Sequence, residues 1–129
     1  MESHSFLSLG ERGFHRVAYT EWGDPSNPHV VLCVHGLSRN CRDFDYLADA
    51  LQKDCRVVCM DVVGRGESEW LEDKSDYSFS TYLSDAAALV ARYLGASSEA
   101  AREYFAQLWS VVRPALAGRD AVPPRIWQT

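Results

Sequence analysis

Nowhere does this sequence hold the roughly 18 consecutive apolar residues that a membrane-spanning helix needs. Basic charge is short as well: 13 Lys and Arg stand against 18 Asp and Glu, for a net charge of −5. Nucleic acid and anionic membranes both call for a basic face, so neither is expected as a partner. The N-terminal Met1-Glu2-Ser3-His4-Ser5-Phe6 lacks the basic-then-apolar order of a signal peptide, which leads us to expect a cytoplasmic location. Metal-ligand spacing is missing too. Of the four cysteines, Cys33, Cys41, Cys55 and Cys59, only the last two lie close in sequence. On a strand that pair would sit about 13 Å apart, too far for one ion. Free thiols and no metal are expected, as suits a reducing compartment. The chain shows no internal repeat and no low-complexity segment.

What is present suits one globular domain: 129 residues, 47% hydrophobic and 24% charged. Val30-Val31-Leu32-Cys33-Val34 is a short apolar run that predicts a strand buried on both faces. It ends in His35-Gly36-Leu37-Ser38. A second run, Arg56 to Asp61, ends in Val62-Val63-Gly64-Arg65-Gly66-Glu67-Ser68. Each strand thus delivers a glycine turn at its carboxyl end, the edge where open parallel sheets bind ligands. Between them Phe44, Leu47, Ala48 and Leu51 recur at helical spacing, with Asp43 or a neighbour as cap. Strand, helix and strand within about 35 residues make one βαβ unit with parallel strands.

Upstream, Gly10-Glu11-Arg12-Gly13 predicts a hairpin turn, and Phe14 to Tyr19 an antiparallel strand at the sheet edge. Trp22 to Pro28 is dense in turn formers. Downstream, residues 64–77 form a polar loop. Ser80 or Thr81 then caps a helix with an apolar face of Leu83, Ala86, Ala87, Val90 and Leu94, stopped by Gly95. From Ser97 the character changes. Ala101, Tyr104, Phe105, Leu108, Trp109 and Val112 form the stripe of a further helix that ends at Pro114, before an extended tail. The expected class is α/β: a small, mostly parallel sheet with an antiparallel N-terminal edge and flanking helices.

The Leu37 amide, just past His35-Gly36, can point at a developing oxyanion, a donor worth about 3 kcal/mol in an acyl-transfer transition state. The plainer alternative is a tight turn over a packed histidine. Gly64-x-Gly66 has the start of a dinucleotide loop, but Glu69 stands where a third glycine is needed. Glu67 and Glu69 would repel a phosphate there, so no nucleotide or other cofactor is expected and the turn is structural.

These motifs together resemble the α/β-hydrolase family. The resemblance rests on Tyr19-x-x-Trp22-Gly23-Asp24, on Val34 to Asn40, on Asp43-Phe44 and on Asp61 to Ser68. Tyr77 and the 82–94 helix fit as well. The likeness is to esterase-type and C–C-bond-hydrolase-type members over roughly residues 6–95. It implies an N-terminal part of a hydrolase domain in 1–95, followed by a divergent helix and tail in 96–129. It also implies an ester-like small-molecule substrate. His35, Gly36, Leu37 and Ser38 would form the oxyanion-hole side of the pocket rim.

The chain departs from the family where the chemistry lies. No Gly-x-Ser-x-Gly elbow occurs; near Glu103 and Tyr104, where it falls by family spacing, the chain reads helical. No histidine follows Gly95. Ser38 within Gly36-Leu37-Ser38-Arg39-Asn40 is a weak substitute nucleophile, with His4, His15, His29 or His35 as its only bases. The family reaction is serine attack on an ester carbonyl. This chain is expected to carry part of the cradle and none of the triad, as a truncated product, half of a split enzyme or a non-catalytic interaction module. The Arg56–Asp61 strand is expected to lack a neighbour. Self-association or a complementing chain is then expected at that sheet edge and at the Tyr104, Phe105, Leu108 and Trp109 face.

Overall fold

The computed structural model describes residues 1–93 together with Ser110. The helix expected from Ala101 to Val112, its Tyr104, Phe105, Leu108 and Trp109 face, the tail, Leu94 and Gly95 all lie outside the described residues. The chain divides into two compact units, Met1–Lys74 and Ser75–Thr129.

The first unit is a four-stranded mixed sheet. Strand β1 (Glu2–Gly10) turns at Glu11-Arg12 into β2 (Gly13–Trp22), with Gly10 opposite Gly13. Gly13 takes the positive φ that such a turn demands, at +127°. Strand β3 (Val30–Val34) is followed by a 3-10 turn at Cys41–Phe44, helix α1 (Asp45–Leu51) and strand β4 (Arg56–Met60). The order across the sheet is β1-β2-β4-β3. β3 and β4 are parallel, as a crossover through α1 requires, and β2 pairs with β4 antiparallel.

This order corrects three expectations. β4 does not lose a neighbour, because it lies between β2 and β3. Its Val57, Val58, Cys59 and Met60 are at most 1% exposed, so β4 is the strand buried on both faces. β3 is instead an outer strand among the described residues. Val30, Val31 and Leu32 are half-buried and Val34 is 46% exposed. β2 is interior too, since β1 covers its other side. An apolar run of five residues therefore marks membership of the sheet and not position within it.

Cys33, Cys41, Ala48, Val57 and Cys59 pack as one core cluster, with Trp22, Val31, Phe44, Leu51 and Cys55 against it. A partly buried ion pair, Arg56 Nε to Glu21 Oε1 at 2.7 Å, ties β4 to β2. Asn40, not Asp43, caps the 3-10 turn, its side chain accepting from the Arg42 amide. Asp43 pairs with Arg39 through two hydrogen bonds.

In the second unit, helix α2 (Phe79–Tyr93) begins one residue before Ser80. Ser78 is its capping side chain, accepting from the Thr81 amide at 3.3 Å. Ala86, Ala87 and Leu89 are buried, and so is Asp85 beside them. Val90 is only half-buried, so the buried stripe is centred slightly off the periodic one.

Candidate active site

The carboxyl ends of β3 and β4 carry the two turns that the sequence singles out, and side chains stitch them together. His35 is 8% exposed. Its Nε2 accepts a hydrogen bond from the Val62 amide at 2.9 Å. Its Nδ1 lies 2.7 Å from the Gly36 carbonyl oxygen, which can only accept. The ring is therefore the neutral tautomer with hydrogen on Nδ1, and both nitrogens are committed. It has no lone pair left to take a proton from Ser38, which is exposed on the turn. A Ser38–His35 pair is thus ruled out as a catalytic dyad. His35 is a brace, not a base.

Leu37 follows, 78% exposed, with its amide unpartnered among the described residues. Its carbonyl accepts from Arg65 Nε at 2.9 Å, while Arg65 Nη1 donates to the Val63 carbonyl. One guanidinium therefore holds the peptide after Leu37 to the turn after β4. The Arg39 amide closes the β3 turn on the Gly36 carbonyl at 3.1 Å. Gly36 does not adopt a left-handed backbone; what distinguishes it is open space, with nothing within 4 Å of where a Cβ would stand.

The β4 turn is organised by Asp61, a residue whose role sequence reasoning missed. Buried at 2% exposure, its Oδ1 accepts from the Cys41 amide at 2.7 Å and its Oδ2 from the Glu67 amide at 3.0 Å. Gly64 and Gly66 have φ of +82° and +53°, and a Cβ on Gly66 would fall 2.3 Å from that carboxylate. Ser68 Oγ donates to the Asp61 carbonyl and accepts from the Ala18 amide, fastening the turn to β2. These bonds tie the turn to β2 and to the end of β4. The available signal was an acid three and five residues ahead of two glycines.

Burial pushes the thiols of Cys41 and Cys59 up to about 12; the Asp61 carboxylate adds to it for Cys41, and Cys33 for Cys59. At neutral pH both are almost wholly protonated, which slows any attack by either sulfur. Among the described residues no group of three His, Cys, Asp or Glu side chains could hold a metal ion. A cavity of about 640 Å³ is lined by Thr20, Asn40, Cys41, Asp61 and Glu67 among others, but not by Leu37. The amide that could serve an oxyanion lies outside it.

This geometry has counterparts among solved structures. A hydrolase of Rickettsia typhi superposes with a TM-score of 0.69 at 33% identity, over 74% of this chain and 36% of its own. An α/β hydrolase of Novosphingobium aromaticivorans does so at 0.61 and 38% identity, over 70% and 31%. The 3-hydroxybutyrate-oligomer hydrolase of Cupriavidus necator is 56% identical over 84 residues, 65% of this chain and 29% of that protein. The chain thus spans less than a third of that relative. A second likeness runs beside the first. Urease accessory protein UreD of Dechloromonas aromatica is 68% identical over 41 residues, 32% of this chain and 14% of its own. The family model of the UreD urease accessory protein matches residues 34–128. The chain accordingly belongs to the UreD urease accessory protein family, while its described sheet is that of an α/β hydrolase.

Proposed function

We propose that this chain is a non-catalytic scaffold of the α/β-hydrolase type, which presents the oxyanion side of an ester-hydrolysing site without its attacking group. The observation that carries this reading is the pairing of an unpartnered Leu37 amide with a histidine committed at both nitrogens. The 129-residue sequence contains no Gly-x-Ser-x-Gly to add the missing serine. In a complete site, serine attack on an ester-like carbonyl would give a tetrahedral oxyanion, and the Leu37 amide would be one of its donors. A complementing chain that carried the elbow would add its strand along the outer edge of β3. The expected location is cytoplasmic. The test is labelling of the purified chain with a fluorophosphonate probe, alongside turnover of an activated ester. Neither is expected; stoichiometric labelling that is lost with one serine substitution overturns the reading.

The UreD match supports a second role, in urease assembly. Here residues 34–128, the span that matches the UreD family model, would carry the docking surface. Co-purification with urease from a urease-producing host, set against a variant ending at residue 95, tests it. Equal recovery by both forms would remove this role.

A further inference from the structure

We infer that Cys33 and Cys59 form an oxidisable thiol pair, a disulfide site that fastens the outer strand β3 to the buried strand β4. The two residues are direct partners in the parallel ladder. Neighbouring strands lie about 4.8 Å apart, within the range of roughly 4.4–6.8 Å between Cα atoms that a disulfide accepts. Both side chains enter the same core cluster. All four cysteines are reduced in the structure. Cys41 belongs to the same cluster, but it lies on the 3-10 turn and its environment is set by Asp61. The strand register singles out the other two.

The order of events follows from exposure. Cys33 is 7% exposed on an outer strand, whereas Cys59 is fully buried with its thiol held up near 12. The oxidant is a small hydroperoxide. The Cys33 thiolate attacks its terminal oxygen, the O–O bond breaks, and a sulfenic acid forms as the other oxygen leaves as alkoxide, or as hydroxide when the oxidant is hydrogen peroxide. The Cys59 sulfur then attacks the Cys33 sulfur, its proton leaves with the displaced hydroxyl as water, and the S–S bond forms. Two electrons pass from the two thiols to the peroxide. The burial that raises both thiols makes the reaction slow at neutral pH and faster as pH rises. The bond would tie β3, and with it the His35–Leu37 turn, to β4 independently of the main-chain ladder.

The test is a brief treatment of the folded chain with hydrogen peroxide, followed by thiol blocking, proteolysis without reductant and mass spectrometry. One linked peptide, Cys33 to Cys59, is expected to dominate, and dithiothreitol should restore both thiols. The same treatment in urea should scatter the links over several pairs. Cys41→Ser should leave the link in place. Cys33→Ser and, in case that variant fails to fold, Cys33→Ala should abolish it. Dominant pairing of Cys41 with Cys59, oxygen addition with no link, or the urea pattern in the folded chain would each overturn the inference.

Discussion

The Val62 amide donates to Nε2 of His35 across the gap between the turns that end β4 and β3. This bond, together with the Arg65 guanidinium on the Leu37 carbonyl, holds the Leu37 turn against the turn after β4. Val62 and His35 are both buried, so losing the acceptor leaves an amide unpaired at a cost of about 1–3 kcal/mol. His35→Ala is expected to lower the stability of the chain by that amount in urea unfolding. His35→Ala as stable as the parent would mean that the two turns hold their places without it.

Gly66→Ala is expected to be far more damaging than Gly13→Ala, although both glycines have positive φ. An alanine at positive φ is strained in either place, by more than about 1 kcal/mol. Only at position 66 does the new methyl meet the Asp61 carboxylate, which must then give up the Cys41 or Glu67 amide; at position 13 it meets nothing within 4 Å. Equal melting temperatures for the two variants would remove Asp61 from its organising role.

Alkaline pH should unfold this chain through its thiols. Cys41 and Cys59 both stand near 12 in the folded chain, against 9.0 for an ordinary cysteine. The folded state therefore keeps protons that the unfolded state releases. Stability from this source is intact below about pH 9 and is lost progressively as pH rises toward 12. Cys41→Ala and Cys59→Ala are each expected to flatten the fall of urea midpoint with pH between those limits. Unchanged slopes would deny the thiols any part in it.

The outer edge of β3 has no partner strand among the described residues, and none of its five residues is a lysine or proline that would discourage pairing. The chain is expected to self-associate in size-exclusion chromatography at micromolar concentration. Val34→Lys, placed where the parent side chain is already 46% exposed, should shift it toward monomer. A parent chain that elutes as a sharp monomer over a wide concentration range would contradict this.

Much of this architecture could be read from residue pattern, because local chemistry settles it. Two apolar runs joined by a helical stripe can only be parallel strands with a crossover, and Gly10 to Gly13 can only be a tight turn. What pattern does not hold is sheet order. Val30–Val34 and Arg56–Met60 look alike in composition, yet one is half-exposed and the other sealed. The difference comes from β2, which settles against β4 through contacts remote in sequence such as Arg56 with Glu21. Caps were misplaced for a related reason. Asp43 has the right chemistry to cap, but Arg39 four residues earlier captures it. On the β3 turn, the exposure of Leu37 was legible from its glycine neighbour. The committed state of His35 was not, since it depends on a backbone amide 27 positions away.

The position of β4 also sets a timetable. The strand that joins the N-terminal hairpin to β3 is the last of the four to be synthesised. Until Met60 has left the ribosome, the hairpin and β3 have no strand ladder through which to join. The four-stranded sheet is complete only when its middle strand arrives.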